Sequence, residues 1–136
     1  MKVLTTILLL GVLFAGCQST PNATTDSPHV AKRGVSEMTP AEARPAVEAA
    51  YSQLVDVRTP EEFALGHAYR ARNIPLDTLT ANLDKIEKNE PVYLICAAGN
   101  RSKQGAKILV DAGFSQAVSI TGGTEAWKAA SLPMEK

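Results

Sequence analysis

The sequence predicts an α/β domain with a central, mostly parallel sheet and helices on both of its faces. Short apolar runs alternate with segments of helical pattern from about Gly34 onward, as in successive strand–helix units. The chain has 136 residues, of which 45% are hydrophobic and 21% are charged. These values suit one globular domain with a buried core, and we predict that this domain spans residues 33–136.

Two segments carry the signature of a capped helix start. TPAE at residues 39–42 and TPEE at residues 59–62 each place a Thr before a Pro, with a Glu three residues after the Thr. In such a capping box the Thr and Glu side chains satisfy backbone N–H groups of the first turn, where Pro is also favoured. The first pattern predicts a helix to Ala50, and the second predicts a short helix through Leu65.

The remaining elements follow from apolar runs and stop signals. Short runs rich in branched apolar residues between turn residues predict strands, and Gly113 is a typical helix stop. In chain order the predictions are an edge strand at 35–38, a strand at 54–57, a helix at 76–86, a strand at 91–95, a helix at 102–112, a strand at 117–120 and, after Gly122-Gly123, a helix that carries Trp127.

The first residues are predicted to be a targeting signal rather than part of the fold. Met1-Lys2 is a short basic start, and residues 3–15 form a mostly apolar run. This run is shorter than the roughly 20 residues of a membrane-spanning helix and is typical of a signal peptide. Small residues then precede Cys17, which resembles the lipobox of bacterial lipoproteins, although Phe14 stands where that family prefers Leu. An ordinary secretory signal and a retained anchor helix are the alternatives.

The lipobox resemblance implies a signal peptide at residues 1–16, a lipidated Cys17 and a flexible tether over residues 17–32. The tether is rich in Ser, Thr, Pro and Asn, a composition that favours disorder. Gln18 rather than Asp follows the cysteine, which resembles outer-membrane lipoproteins. The expected location is therefore the bacterial cell envelope, on the periplasmic face of the outer membrane in a Gram-negative host. A formal net charge of zero does not favour a nucleic-acid partner.

The stretch LICAAGNRS, residues 94–102, places a cysteine between a predicted strand and a predicted helix. In parallel α/β sheets, ligands bind at the carboxyl ends of strands, beside helix N-termini. Small residues and a glycine allow loop N–H groups to converge on one point, where the helix adds partial positive charge. A sulfur placed there is favoured as the nucleophilic thiolate, against which an anionic substrate would be held. A buried cysteine without chemistry is the alternative.

Three segments in order resemble a single domain of the rhodanese family of sulfurtransferases: LVDVRTPEEFALGHAYRARNIPL, LICAAGNRS and TGGTEAWKAASLP. The resemblance extends over about residues 35–135 and implies a three-layer, rhodanese-like α/β fold. It also implies that Cys96 accepts sulfane sulfur as a persulfide. The implied substrate-binding loop contains Ala97, Ala98, Gly99, Asn100, Arg101 and Ser102. The implied partners are a small sulfur-donor anion and a thiol, cyanide or protein acceptor, and neither a cofactor nor a metal is expected.

Loop length separates two uses of this fold. Similar phosphatases have five residues between the cysteine and the arginine, whereas four lie between Cys96 and Arg101. The tighter loop favours sulfur transfer over phosphatase or arsenate-reductase activity. A noncatalytic rhodanese-like module for binding or sulfur sensing is the alternative, and the presence of Cys96 argues against its inert form.

Polar residues near the loop have structural roles as alternatives to chemical ones. Asp56 and Arg58 end a strand near the site, and an ion pair or a loop-bracing hydrogen bond is expected there rather than proton transfer. Arg101 has two open roles, contact with donor anions and restraint of the loop. Ser102 is expected to cap the following helix, with a hydrogen bond to Cys96 as the second possibility.

Residues 68–72, AYRAR, depart from the family pattern after its Gly-His turn. Tyr69, Arg70 and Arg72 are expected to reshape substrate access there. His67, in the turn itself, resembles a structural hydrogen-bonding residue of the family rather than a general base. Trp127 is expected to pack in the core.

Overall fold

The computed structural model describes residues 34–136, so the predicted signal peptide, Cys17 and the tether lie outside the described residues. The elements are β1 (Ser36–Met38), α1 (Pro40–Glu48), β2 (Gln53–Asp56), α2 (Pro60–Ala64), β3 (His67–Ala68), β4 (Arg72–Asn73), a 3₁₀ segment (Leu79–Lys85), β5 (Val92–Ile95), α3 (Asn100–Asp111), β6 (Ala117–Ile120), α4 (Gly123–Ala129) and β7 (Met134–Glu135).

The main sheet has five strands in the order β1-β6-β5-β2-β4. Each pair of neighbours in it is parallel. Asp56 at the end of β2 pairs with Ile95 at the end of β5, so the carboxyl ends of the central strands share one edge. β3 and β7 form a separate antiparallel pair. The predicted α/β fold with a mostly parallel sheet is confirmed.

Two hydrophobic clusters cover the two faces of this sheet. Leu94 of β5 belongs to the cluster that holds Leu109 of α3 and Leu79 of the 3₁₀ segment. The next residue, Ile95, belongs to the cluster that holds Val47 of α1 and Trp127 of α4. Successive strand side chains point to opposite faces, so β5 is buried on both sides. The result is a three-layer arrangement with the sheet in the middle.

Both predicted capping boxes are present. The Thr39 and Thr59 hydroxyl oxygens accept hydrogen bonds from the backbone N–H groups of Glu42 and Glu62, whose carboxylates in turn accept from the Thr backbone. Helix α1 ends at Glu48, two residues before the predicted Ala50. There the Ser52 hydroxyl donates hydrogen bonds to the carbonyls of Val47 and Ala49, which satisfies carbonyl groups that the helix leaves free at its end.

The helix predicted at 76–86 is instead the shorter 3₁₀ segment. Its local polar groups compete with α-helical bonding: the Thr78 hydroxyl donates to the Pro75 carbonyl, and the Asn82 amide donates to the Thr78 carbonyl. Asn82 also has a non-helical backbone with φ −119°. Side-chain bonds of this kind offer the backbone an alternative to the α-helix. None of the helices of residues 34–136 has the length and apolar character needed to cross a membrane.

Candidate active site

Cys96 follows β5 directly, and its side chain is a free, buried thiol with 1% exposure. Its Sγ accepts a hydrogen bond from the Gly99 N–H at 3.1 Å. The Ser102 Oγ lies 3.6 Å from the same sulfur. The predicted position at the carboxyl edge of the sheet is therefore correct, and the loop curls back so that a backbone N–H points at the sulfur.

The start of α4 holds the carbonyl groups of this loop. The Cys96 carbonyl accepts the Thr124 N–H at 2.7 Å and the Thr124 hydroxyl at 2.9 Å. The Ala97 carbonyl accepts the Glu125 N–H at 3.1 Å. Because Gly123 passes against these carbonyls, a Cβ on it would collide with both. These contacts hold the Cys96 and Ala97 carbonyls against the start of α4.

Helix α3 begins at Asn100, two residues before the predicted start, and its N-cap is Gly99 with φ 102°. A Cβ on Gly99 would crowd the Gly122 backbone nitrogen, so glycine suits both the dihedral and the packing. Ser102 therefore lies inside the helix and is not its cap. Its buried hydroxyl donates back to the Gly99 carbonyl at 2.9 Å. Of the other loop residues, Ala98 and Asn100 are exposed and Ala97 is half-buried.

The Arg101 side chain is held by Glu62 of α2. Nη1 and Nη2 each donate to a different Glu62 oxygen, both at 2.7 Å. The hydrogen bonds from Arg101 lower the pKa of Glu62 to about 2, and the carboxylate correspondingly raises the pKa of Arg101. Arg101 had two open roles, contact with donor anions and restraint of the loop. Its contacts with Glu62 are those of a residue that restrains the loop. Glu62 was predicted only as a capping residue, and it performs that function as well.

Asp56 and Arg58 form a buried ion pair in the turn after β2. The Asp56 carboxylate accepts the backbone N–H, Nε and Nη2 of Arg58. Arg58 Nη2 also donates to the Gly66 carbonyl at 2.9 Å. The Asn73 amide bonds the carbonyls of both ion-pair residues. The expected loop brace is therefore observed, and it ties β2 to the turn before β3 and to β4.

The arginines of the AYRAR segment are used in the fold. Arg70 donates to the carbonyls of Val47 and Glu48 at the end of α1. Arg72 donates to Gln53 at the opposite end of β2 from the site. Both guanidinium groups therefore satisfy structural acceptors, and an effect of this segment on substrate access stays a prediction. Tyr69 is 49% exposed.

His67 and Trp127 have the structural roles that were expected. His67 stacks on Phe63, and its Nδ1 lies 3.1 Å from the Phe63 carbonyl. The buried Trp127 donates its indole N–H to the Pro133 carbonyl. In residues 34–136, no group of three His, Cys, Asp or Glu side chains is arranged to hold a metal ion.

A cavity of about 530 Å³ opens beside Arg101. Its wall contains Val57 after β2, Pro60 at the start of α2 and Leu76 in the turn that precedes the 3₁₀ segment. Thr59, Asp77 and Thr78 also line the cavity, so its wall is mostly apolar but contains one carboxylate, and the restrained guanidinium lies at its edge.

Sequence reasoning missed three residues of the site: Glu62 as the partner of Arg101, Thr124 as the donor to the Cys96 carbonyl, and Ser119, whose hydroxyl lies 2.9 Å from that of Ser102. The only signal available was for Ser119, a hydroxyl residue within an apolar strand run.

The comparisons agree with this geometry. The sequence matches the Rhodanese-like domain family over residues 39–130. It is 36% identical over 89 residues to the thiosulfate sulfurtransferase GlpE of Vibrio cholerae, covering 65% of this chain and 84% of the relative. A rhodanese-like domain protein from Staphylococcus aureus is 39% identical with a TM-score of 0.63, covering 68% and 91% of the two chains. A rhodanese-related protein from Thermoplasma volcanium is 25% identical with a TM-score of 0.67, covering 74% and 97%.

The family match extends from the first capping box to the end of α4 and includes every element that forms the Cys96 loop. The fold, the loop and the sequence identity agree, and this chain is a member of the rhodanese-like domain family.

Proposed function

We propose that this protein is an envelope-anchored sulfurtransferase in which Cys96 carries sulfane sulfur as a persulfide. The donor is thiosulfate, a polysulfide or a persulfide, and the acceptor is a thiol or cyanide. The observation that carries the proposal is the hydrogen bond of 3.1 Å from the Gly99 N–H to Cys96 Sγ, since a backbone donor aimed at the sulfur stabilises negative charge on it.

Both steps of the transfer, loading of Cys96 and delivery to the acceptor, balance without a cofactor. The Cys96 thiolate attacks the outer sulfur of thiosulfate, the S–S bond of thiosulfate breaks, and sulfite leaves with the electron pair. The enzyme is left as a persulfide anion. An acceptor thiolate or cyanide then attacks the outer sulfur of this persulfide, forms a persulfide or thiocyanate, and returns Cys96 to the thiolate.

Backbone groups rather than Arg101 are the expected contacts of the donor anion. The Arg101 charge is neutralised by Glu62, whereas the N-terminus of the 12-residue helix α3 carries partial positive charge at the loop. The outer sulfur of a Cys96 persulfide would lie about 2 Å beyond Sγ, so the atom that the acceptor attacks is further from the backbone than the buried thiol.

The cavity beside Arg101 favours a thiol as the acceptor. The cavity borders the Cys96 loop at Arg101, and its volume of about 530 Å³ and mostly apolar wall suit the carbon body of a thiol larger than cyanide. The relation to a thiosulfate sulfurtransferase at 36% identity supports thiosulfate as the donor.

The test is the intact mass of the purified chain before and after thiosulfate, with Cys96→Ser measured beside it. We expect a gain of one sulfur atom on the wild type alone, and its loss on addition of a thiol or cyanide. If none of thiosulfate, polysulfide and a small-molecule persulfide adds sulfur to the wild type, persulfide transfer at Cys96 is rejected.

A noncatalytic binding or sulfur-sensing module is the second candidate. It is favoured by the 1% exposure of Cys96 and by the ion pair that holds the Arg101 guanidinium against Glu62. This candidate predicts no sulfur gain, together with a protein partner whose affinity is the same for the wild type and for Cys96→Ser.

Anchoring to the envelope through a lipid on Cys17 is the remaining part of the proposal. It rests on the sequence pattern before Cys17, which lies outside the described residues. The test is metabolic labelling of the chain in a bacterial host with a palmitate analogue. We expect label and membrane fractionation for the wild type and neither for Cys17→Ala, whereas an unlabelled wild type would reject the anchor.

A further inference from the structure

Two buried hydroxyl groups are connected to the Cys96 sulfur by hydrogen bonds. Ser102 of α3 and Ser119 of β6 are both fully buried, and their Oγ atoms are 2.9 Å apart. Ser102 Oγ is also 2.9 Å from the Gly99 carbonyl and 3.6 Å from Cys96 Sγ. A serine on a neighbouring strand is thus connected to the sulfur through one intermediate hydroxyl.

The directions of these hydrogen bonds follow from counting hydrogens. The Gly99 carbonyl can only accept, so it takes the single Ser102 hydrogen. Ser102 then accepts from the Cys96 thiol and from Ser119. Within the described residues the Ser119 hydroxyl makes no other hydrogen bond, so Ser102 is the acceptor available to it.

Loss of the thiol proton changes two bonds of this chain, because the bond that the thiol donates to Ser102 disappears and the Ser102 hydroxyl becomes free to donate to the sulfur. The thiolate can only accept, and the Ser102 hydroxyl can turn its hydrogen from the Gly99 carbonyl to Cys96 Sγ. Ser119 continues to donate to the Ser102 oxygen throughout. A hydroxyl that accepts a hydrogen bond becomes a stronger donor, because bonded dipoles polarise one another.

We propose that Ser119 is a positioning residue that acts through Ser102 to hold and strengthen the hydrogen bond to the Cys96 thiolate. This inference rests on the proposed role of Cys96 as the nucleophile. Ser119 makes no hydrogen bond to the sulfur, so it modulates the nucleophile without being a catalytic residue.

The charged groups around the sulfur are already paired. Arg101 of α3 interacts electrostatically with Cys96 and Asp56, but Glu62 of α2 neutralises it and Arg58 neutralises Asp56. A change at Ser119 leaves these pairs intact. A substitution at Ser119 therefore tests only the hydrogen bonds that run from the Ser119 hydroxyl through Ser102 to the sulfur.

The experiment compares Ser119→Thr with Ser119→Val, which have nearly the same shape and differ in one hydroxyl. The readout is the rate of Cys96 alkylation by iodoacetamide between pH 5 and pH 10. Polarisation by a neighbouring hydroxyl strengthens a hydrogen bond by roughly 10–30%, and a hydrogen bond to a charged group changes ionisation by roughly tenfold to a hundredfold. We therefore expect the Val profile to lie about 0.1 to 0.6 pH unit above that of Thr, with Thr close to the wild type. Equal profiles for Thr and Val would overturn the proposal.

A second arm tests the route through Ser102. In a Ser102→Ala background, Ser119→Val is expected to cause no further change in the profile, whereas an additional shift of the same size would overturn the route.

Ser52→Ala removes a hydroxyl in the turn before β2 and is the control, with a profile like the wild type. If Ser119→Val does not fold, Ser119→Ala replaces it, with the wild type as its hydroxyl-bearing partner. Alkylation needs no sulfur donor, so these results are independent of whether thiosulfate loads Cys96.

Discussion

Glu62 and Arg101 form a two-pronged ion pair, with both N–O distances 2.7 Å, across 39 residues of sequence. Glu62 lies in the first turn of α2, and Arg101 lies in the first turn of α3. The pair therefore joins the helix after β2 to the loop that holds Cys96. Both side chains are about a third exposed, so water screens the attraction and geometric restraint is its main effect.

Glu62→Gln is expected to lower the free energy of unfolding by about 1 kcal/mol, because the amide loses the charge-assisted bonds to Arg101. The amide oxygen still accepts the Thr59 N–H, so the helix cap is preserved. Urea unfolding measures the change. Glu61→Gln, an exposed position of the same helix turn, is the matched control and is expected to have almost no effect. A cost no larger than that of Glu61→Gln would contradict this prediction.

The same ion pair predicts an acid-dependent loss of stability. Hydrogen bonds from Arg101 lower the Glu62 pKa from 4.5 to about 2. A carboxyl with a lowered native pKa stabilises the fold fully above its unfolded pKa, and this contribution is lost as the pH falls toward the native pKa. The stability difference between the wild type and Glu62→Gln is therefore expected to be constant above about pH 5.5 and to shrink between pH 4.5 and pH 2. A difference that stays unchanged down to pH 2 would show that the carboxylate charge is not its source.

Asp56→Asn is expected to cost about 3 kcal/mol or more of stability, because it leaves the Arg58 guanidinium buried without a counter-charge. Asp56 is fully buried, and Arg58 has 7% side-chain exposure. Thermal and urea unfolding measure the change. Glu48→Gln breaks the exposed pair with Arg44 and is the control, with an expected cost under about 0.5 kcal/mol. Equal costs for the two variants would contradict a structural role for the buried pair.

Gly123→Ala is expected to slow persulfide formation at least about tenfold, since a Cβ would collide with the Cys96 and Ala97 carbonyls and such overpacking displaces backbone. Gly123 also has φ 56°, which disfavours a side chain. The measurement is the rate of sulfur loading by intact mass. Gly34→Ala, where a Cβ meets open space, is expected to load at the wild-type rate. A Gly123→Ala protein that loads equally fast would show that the contact with α4 does not hold the loop.

The sequence predicted best the features whose contacts are local. Thr39 and Glu42 bond across three residues, so their capping box is visible in the chain itself. The apolar run 91–95 marks β5, because a strand buried on both faces needs apolar residues throughout. The sequence predicted a helix at 76–86 without separating the α form from the 3₁₀ form, and the Thr78 and Asn82 side chains favour the 3₁₀ form.

The two-residue strands β3, β4 and β7 could not be predicted from their own residues. His67 and Ala68 are extended because Glu135 and Met134 lie opposite them, 66 or more residues further along the chain. Arg72 and Asn73 are in the sheet because they pair with β2. So short a strand has little intrinsic preference, and its partner determines its conformation.

By itself, the sequence determined the fold class, the two capped helices, and the position of a cysteine at the end of a buried strand before a short, glycine-containing loop. Only the tertiary structure decided that Glu62 holds Arg101, that α4 binds the loop carbonyls, and that Ser119 lies next to Ser102. The physical reason is the range of the interactions. Hydrophobic spacing and helix caps depend on neighbouring residues, whereas these three contacts join elements that only the packed sheet brings together.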